Sequence, residues 1–210
     1  MAGTVFFSVS MSLDGYIAPA SADELMGRQW MQLQQWVFRQ KHFRENLQLG
    51  TGGEEGRDND LVRATFERTG ASVMGRRMFD AGEAMWPEEP PFHTPVFVVT
   101  HAPREPWVRA GGTTFSFVTE GIESAIEQAR AAAGPRDVRV AGGADTIVQA
   151  LNAGLVDEFH LAVSPVLFGA GVRLFDRVDA ARIGLEQVAA ESSPLTTHLR
   201  YRVRVWEPTR

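Results

Sequence analysis

The chain alternates short apolar runs with segments in which apolar residues recur every three or four positions. The short runs predict β-strands, and the longer periodic segments predict amphipathic α-helices. The predicted strands cover residues 4–11, 71–74, 95–99, 113–118, 138–141, 156–167, 184–192 and 197–206. The predicted helices cover residues 27–45, a short segment capped by Asp58 or Asn59, residues 122–133 and residues 144–151. By composition, residues 50–60 form a mobile loop and residues 102–112 form another loop.

Strands and helices alternate through the middle of the chain, and a pair of strands closes it. Alternation of this kind is typical of a parallel sheet covered by helices. The last two predicted strands are joined only by residues 193–195, a link too short for a crossover, so we expect them to pair antiparallel. We therefore predict an α/β fold with a mostly parallel mixed sheet and an antiparallel C-terminal edge, in a single domain over residues 1–210.

One stretch, residues 137–151, combines a predicted strand, the pair Gly142-Gly143 and a predicted helix that begins at Ala144. Glycine removes the Cβ atom, so a ligand can approach the backbone closely. A helix N-terminus also supplies free N–H groups and positive potential for a phosphate. The alternative is a strand–helix turn in which glycine only permits an unusual φ angle.

Composition and charge narrow the functional classes. The chain has 210 residues, a formal net charge of −5 and no cysteine, which excludes disulfides, thiolate metal sites and cysteine nucleophiles. The negative charge gives no general attraction to nucleic acid. No apolar stretch approaches the roughly 20 residues of a membrane span, and the N-terminus lacks the features of a signal peptide. We expect a cytoplasmic protein that binds neither nucleic acid nor membrane.

Three predicted strands end in groups suited to an anion. Gly75-Arg76-Arg77 follows the strand at 71–74, Thr100-His101 follows the strand at 95–99, and Gly142-Gly143 follows the strand at 138–141. Ligands of open α/β sheets bind at the carboxyl ends of strands, so one crevice could contain all three groups. Two arginines at the start of a helix oppose its dipole, and an anion between them would remove the conflict. The alternative is a solvated pair of surface arginines.

Several other chemistries lack their motifs. The five histidines form no metal-binding pair at helical spacing and no His-Glu-x-x-His sequence, so no metal site is expected. The chain has no Gly-x-Ser-x-Gly elbow and no phosphate loop ending in Gly-Lys. A zinc-dependent base deaminase would need cysteine ligands.

Four segments together resemble a known family. They are Ser12-Leu-Asp-Gly-Tyr-Ile, Val73-Met-Gly-Arg-Arg-Met-Phe, Val140-Ala-Gly-Gly-Ala and the long segment from Gly154 to Phe175. In this order they resemble the C-terminal reductase domain of the riboflavin-biosynthesis deaminase–reductase, the RibD C-terminal domain family. The resemblance implies the three-layer dihydrofolate reductase-like fold, NADPH as cofactor, a cis peptide between Gly142 and Gly143, and a homodimer.

The resemblance also implies roles for individual residues. The cofactor-binding set that it implies is Gly75, Arg76 and Arg77 at the 2′-phosphate and pyrophosphate, Thr100 and His101 beside the adenosine, and Gly142, Gly143 and Ala144 toward the pyrophosphate and nicotinamide. Thr146 could add a hydroxyl contact to phosphate. Asp145 would oppose a phosphate unless its side chain points away. Met78 stands where the family usually has threonine, so one hydroxyl contact to phosphate is missing.

The resemblance favours an NADPH-dependent reductase that transfers hydride to a C=N or C=O group of a small heterocyclic or sugar-derived substrate. This activity is similar to that of 5-amino-6-(5-phosphoribosylamino)uracil reductase. Asp14 is the candidate proton donor, with a turn residue as its alternative role, and water is another source. Trp30 is the candidate substrate contact, with a core role as its alternative.

Two further functions stay open at this point. The first is a dihydrofolate reductase proper, whose first helix carries an acid that protonates the pterin. Residues 28–44 contain no Asp or Glu, and the nearest acids are Asp23, Glu24 and Glu45, which disfavours that function. The second is a nucleotide-binding protein without catalysis.

Overall fold

Eleven strands and six α-helices form in the part of the chain that the computed structural model describes, residues 3–21, 24 and 27–206. The strands are β1 (Val5–Ser12), β2 (Tyr16–Ala18), β3 (Thr69–Gly75), β4 (Val96–Val99), β5 (Trp107–Val108), β6 (Thr114–Val118), β7 (Asp137–Gly142), β8 (Glu158–Ser164), β9 (Val172–Arg173), β10 (Ile183–Ser192) and β11 (Thr197–Val205). The helices are α1 (Arg28–Phe38), α2 (Lys41–Asn46), α3 (Arg57–Arg68), α4 (Arg76–Glu83), α5 (Ile122–Ala133) and α6 (Ala144–Asn152). None of these helices is long and apolar enough to cross a bilayer.

Nine strands form one mixed sheet in the order β10-β11-β8-β1-β7-β3-β4-β6-β5. From β8 to β6 every neighbouring pair is parallel, whereas β11 and β10 pair antiparallel at the C-terminal edge. Strand β1 lies between β8 and β7, with Val5 beside Val138 of β7 and Phe6 beside Glu158 of β8. The predicted α/β fold, with its parallel centre and antiparallel C-terminal edge, is confirmed.

Helices cover both faces of the sheet. On one face, α5 and α6 pack against apolar side chains of the central strands, which include Val5, Phe7, Val73 and Val140. On the other face, α1, α3 and α4 pack against β1, β8, β3 and β4. Three layers result, with the larger core under α5 and α6.

The prediction of one continuous helix over residues 27–45 is wrong, because this segment forms two helices, α1 and α2. Gln40 is extended and buried, and its amide donates a 2.6 Å hydrogen bond to the carbonyl of Trp36. A bridge between Gln40 and Glu54 fixes the break, and the Lys41 N–H donates to the Glu54 carbonyl at 3.0 Å. Tertiary pairing therefore overrides the helical periodicity at this point.

The predicted caps of the third helix are also wrong. Gly56 occupies the N-cap position of α3, whose first residue is Arg57. Asp58 accepts a hydrogen bond from His198 instead, and Asn59 accepts one from the backbone of His42. Both side chains thus serve tertiary contacts. The predicted loop at 102–112 contains the short edge strand β5 and a 3₁₀ turn at Ala110–Gly112.

Candidate functional site

A cleft of about 1070 Å³ opens at the carboxyl ends of the parallel strands. The sequence-predicted residues that line it are Gly75, Arg76, Arg77, Thr100, His101, Gly142, Gly143, Ala144, Thr146 and Trp30. The structure therefore brings the three strand ends together in one crevice, as the sequence predicts. Asp14, the candidate proton donor, is not among the lining residues.

The turn between β7 and α6 forms the floor of this cleft. The Gly142–Gly143 peptide is cis, which confirms the expectation for this bond. Gly142 has a φ of 138°, a conformation that favours glycine. A Cβ atom on Gly143 would meet no atom within 4 Å, so the backbone is open to a ligand there. Gly143 caps α6 without any side-chain hydrogen bond, which leaves the first N–H groups of this helix free.

The turn between β3 and α4 approaches the same floor closely. A Cβ atom on Gly75 would lie 2.4 Å from Thr146 Oγ1, so only glycine fits against α6 at this position. Gly75 is the N-cap of α4 and makes no side-chain hydrogen bond. Two helix N-termini without side-chain caps therefore meet at one cleft, and both contribute positive potential to it.

The predicted phosphate-binding side chains differ in their partners. Arg76 Nε donates to Asp80 Oδ1 at 2.6 Å, and Arg77 Nη2 donates to the carbonyl of Ala20 at 2.9 Å. The Thr100 hydroxyl bonds within its own turn, at 3.3 Å to the Ala102 carbonyl. His101 is exposed at the rim. Among the described residues, each of these two guanidinium groups has one hydrogen-bond partner, so both keep further N–H donors for a ligand.

Asp145 does not oppose a phosphate at the start of α6. Its carboxylate pairs with Arg177. An ion pair of this kind offsets the negative charge that would otherwise repel an anion at the helix N-terminus. The pattern of charge at this turn is therefore compatible with a bound phosphate.

Asp14 holds a loop rather than facing the cleft. Its carboxylate accepts a 2.6 Å hydrogen bond from the Ser12 hydroxyl, and further bonds from the backbone N–H groups of Phe168 and Gly169. These donors, the Ser12 hydroxyl foremost, lower the pKa of Asp14 to about 2. A carboxylate with this pKa is ionised at neutral pH, which argues for the turn role and against proton donation.

Aromatic side chains build the wall at the other end of the cleft. The rings contact one another in sequence, with centroids 6.0 Å apart for Trp30 and Phe38, 5.1 Å for Phe38 and Phe43, and 6.4 Å for Phe43 and Phe66. Trp30 is partly exposed and lines the cleft, as a substrate contact would. This wall suits a flat apolar ligand.

Two polar side chains lie at the base of this wall. The Ser10 hydroxyl donates to Gln34 Oε1 at 2.9 Å and accepts a 2.9 Å hydrogen bond from Trp36 Nε1. Gln34 of α1 therefore reaches Ser10 of β1 with an amide, a group that does not ionise. Asp23, a possible replacement for the acid missing from α1, lies outside the described residues.

A hydrogen-bonded chain of side chains leads from the cleft into the protein. Ser8 Oγ lies 2.9 Å from His160 Nδ1, and His160 Nε2 lies 2.9 Å from His198 Nδ1. His198 Nε2 lies 3.1 Å from Asp58 Oδ1. Burial, followed by the charges of His198 and nearby arginines, lowers the pKa of His160 to about 3. Burial also lowers the pKa of His198, and Asp58 opposes that effect.

Arg139 is the cation at the sheet surface of the cleft. Burial lowers its pKa to about 10, so the guanidinium stays charged at neutral pH. It lies 5.5 Å from the ring of Phe66, at the end of the aromatic wall.

The sequence reasoning missed Ser8, His160 and Arg139 as site residues. A signal existed for two of them, since Arg139 interrupts the apolar run Val138-Arg-Val and His160 interrupts Phe159-His-Leu. Charged or titratable residues inside buried parallel strands need a partner or a cavity.

Residues 3–199, nearly the whole chain, match the family described as the RibD C-terminal domain. The chain belongs to the RibD C-terminal domain family. A protein of Bacillus subtilis (strain 168), the uncharacterized protein YyaP, is 38% identical over 72 residues. That match covers 34% of this chain and 37% of YyaP, so it spans about a third of each protein.

Solved structures of other proteins share the fold of this chain. A proposed riboflavin biosynthesis protein from Shewanella sp. PV-4 has a TM-score of 0.66 and 25% identity, over 97% of this chain and 99% of that one. A pyrimidine reductase-like protein from Corynebacterium diphtheriae has a TM-score of 0.58 and 14% identity, over 96% and 92%. Dihydrofolate reductase from Enterococcus faecalis, solved with NADP(H) and RAB-propyl, has a TM-score of 0.56 and 13% identity, over 97% and 98%. The last two likenesses confirm the dihydrofolate reductase-like fold.

Proposed function

We propose that this RibD C-terminal domain is an NADPH-dependent reductase of a small heterocyclic or sugar-derived substrate with a C=N or C=O group. The observation that carries the proposal is the meeting of two helix N-termini, those of α4 and α6, at one cleft. Neither has a side-chain cap, and the partly exposed glycines Gly75 and Gly143 stand at these two N-termini. This arrangement suits a dinucleotide, because its phosphates need N–H donors and close backbone approach.

The residues present fit NADP(H). Gly142, Gly143 and the first turn of α6 would hold the pyrophosphate, and Arg76 with Arg77 would hold the 2′-phosphate. When bound, the cofactor supplies the hydride. The chain itself binds the reactants, orients them along the cleft floor and excludes water with its aromatic wall.

The substrate would lie against the aromatic wall, on the side of the cleft away from the arginines of α4. A planar heterocycle fits there, because Trp30 and Phe66 offer flat apolar surface. Reduction of a C=N or C=O group also needs a proton at the heteroatom. Of the acids in the described chain, only Asp80 and Asp145 line the cleft, and both are in ion pairs.

We propose that the proton comes from the Ser8–His160–His198 chain. With a second proton, His198 donates through Nε2 to Asp58 and through Nδ1 to His160. His160 then carries its own proton on Nδ1 and donates to Ser8. One proton moves along each bond, so the substrate gains the Ser8 proton, Ser8 is refilled from His160, and His198 becomes neutral. The starting state returns when the protons move back along the same bonds: solvent in the cleft protonates Ser8, Ser8 returns a proton to His160 Nδ1, and His160 returns its Nε2 proton to His198 Nδ1.

A dihydrofolate reductase proper is the less favoured function, because Gln34 and not a carboxyl group lies at the base of the aromatic wall. A binding protein without catalysis is the other alternative. Stopped-flow measurement of NADPH oxidation across pyrimidine, pteridine and sugar-derived substrates separates these cases. We expect a pyrimidine or a sugar-derived substrate to oxidise the bound NADPH. Tight NADPH binding without oxidation of any substrate would support the binding protein.

A further inference from the structure

Arg139 lacks the partner that interior arginines normally have. It lies on β7 in the same cleft-facing row as Ala141, and both line the cleft. Within the described ranges, Arg139 has no carboxylate partner and no hydrogen-bond acceptor, and its Nε is buried without a partner. Its guanidinium lies 5.5 Å from the Phe66 ring, and its positive charge also helps to lower the pKa of His160, a neutral group that supplies no counter-charge.

The acidic residues near Arg139 on β7 and β8 are both paired with another arginine, Arg68. Asp137, two residues earlier on β7, accepts hydrogen bonds from Arg68 Nε at 2.6 Å and from the Thr4 backbone at 2.7 Å. Glu158 on β8 accepts a 2.7 Å bond from Arg68 Nη1. Arg68 thus pairs with two carboxylates, whereas Arg139 pairs with none in the described chain.

An uncompensated cation in such a position weakens the fold, because a charge removed from water needs a counter-charge. Arg139 is partly exposed, and it lines the cleft. The cleft is therefore the direction from which a counter-charge can come.

We propose that Arg139 binds an anionic group, a carboxylate or a phosphate, on the substrate of this cleft. The inference rests on the proposed function for the identity of the cleft and adds the chemical class of the substrate. A ligand of this class would place a flat ring on the wall at Phe66 and an acidic substituent at Arg139. The strand rise puts Arg139 roughly 10 Å from Gly142, which leaves space for one ring and its substituent between them.

Matched pairs of probes test the charge requirement. Orotate and uracil differ by a carboxylate, and uridine 5′-monophosphate and uridine differ by a phosphate. Dissociation constants are measured by calorimetry with NADP⁺ present, for wild type, Arg139→Gln, Arg139→Lys and the control Arg202→Gln. Arg202 is an exposed residue of β11, and its partner Glu186 keeps a second arginine, Arg204.

The expected result is that at least one acid binds wild type more tightly than its neutral counterpart, and that Arg139→Gln weakens this acid by roughly 10- to 150-fold. The neutral probes and the control variant should show no such change. Arg139→Lys should be intermediate, because a lysine keeps the charge without the planar fork. The acid that responds identifies carboxylate or phosphate as the group recognised.

Two outcomes would overturn the inference. One is equal binding of acid and neutral probe by wild type, including no binding of either. The other is an acid preference that persists in Arg139→Gln. NADPH binding is measured separately by its fluorescence, so loss of the proposed function is distinguishable: an Arg139-dependent acid site without NADPH binding would keep this inference and refute the reductase.

A stability measurement keeps the test independent of folding failure. Because Arg139 has no carboxylate or hydrogen-bond partner among the described residues, Arg139→Met should raise the melting temperature of the ligand-free protein while abolishing the acid preference. A variant that melts lower than wild type would show that Arg139 serves the fold, and would contradict the inference.

Discussion

His198 Nε2 lies 3.1 Å from Asp58 Oδ1, while the other ring nitrogen of His198 faces His160 at 2.9 Å. His198 is almost fully buried, and the Asp58 side chain is 14% exposed. This pairing gives an imidazolium at His198 a counter-charge, and it connects that charge to the cleft through His160 and Ser8.

The first prediction concerns the pH dependence of reduction. The rate should fall as pH rises through the pKa of His198, since the deprotonated ring has no proton to deliver. Burial lowers this pKa from 6.5, Asp58 and Glu191 raise it, and Arg57 lowers it, so the fall should begin below neutral pH. His198→Gln should lower kcat by about 100-fold or more, as loss of a positioned acid does. The fall in rate with rising pH, the pH limb of wild type, should also disappear in this variant.

The control for this prediction is His42→Gln, which removes a histidine outside the chain of hydrogen bonds that leads to the cleft. Its pH profile should match that of wild type. An unchanged pH limb in His198→Gln would exclude the relay, whatever the loss in rate.

The second prediction concerns Asp14 as an anchor for the loop at Phe168 and Gly169. Its pKa is lowered from 3.8 to about 2 in the folded protein, so its contribution to stability is present above pH 4 and is lost as pH falls toward 2. Asp14→Asn should lower the melting temperature at pH 7 and flatten its decline between pH 4 and pH 2.

Exposed Asp179 provides the matched control for Asp14, because Asp179→Asn changes the same charge without these backbone contacts. Thermal unfolding at pH 7, 4 and 2 gives the melting temperatures of both variants. If Asp14→Asn is as stable as wild type at pH 7, the anchoring role is wrong.

The third prediction concerns the close approach of Gly75 and Thr146. Gly75→Ala should destabilise the fold by about 1–3 kcal/mol, as overpacking does, and should weaken cofactor binding because the α4 and α6 N-termini are forced apart. Thr146→Ala removes the clashing hydroxyl, and the next Thr146 atom would lie 3.8 Å from the new methyl group.

The double variant tests that explanation directly. Gly75→Ala/Thr146→Ala should recover most of the stability that Gly75→Ala loses, which is a non-additive result for residues in contact. If the losses in unfolding free energy of the two single variants simply add in the double variant, the contact with Thr146 is not the reason that position 75 needs glycine.

The sheet and the glycine turn were accessible from the sequence because their signals are local. Apolar runs mark the strands, and Gly142-Gly143 followed by an amphipathic segment marks the turn to α6. The break at Gln40 was not accessible, since it depends on pairing with Glu54 across a loop. The helical spacing of apolar residues continues through Gln40, and this spacing does not indicate the pairing with Glu54.

The cofactor side of the site was also more predictable than the substrate side. Gly75 and Arg77 follow a recognisable strand, so their position at one edge of the sheet follows from topology. Arg139 and His160 lie in the middle of their strands, and their importance depends on which neighbours they lack or share. Pairing of Asp137 with Arg68, which leaves Arg139 alone, is visible only in three dimensions.

We propose that this cleft binds NADPH through the 2′-phosphate of the cofactor and through the N-termini of α4 and α6. Arg76 and Arg77 should each contribute roughly 1.5–3 kcal/mol through charge-assisted hydrogen bonds to that phosphate. The most direct measurement is the dissociation constant of NADPH and of NADH for wild type and for Arg76→Gln/Arg77→Gln, with Arg202→Gln as control. Wild type and control should prefer NADPH by at least about tenfold, and the double variant should bind both nearly equally. Equal affinities in wild type, or no binding of either cofactor, would contradict the account.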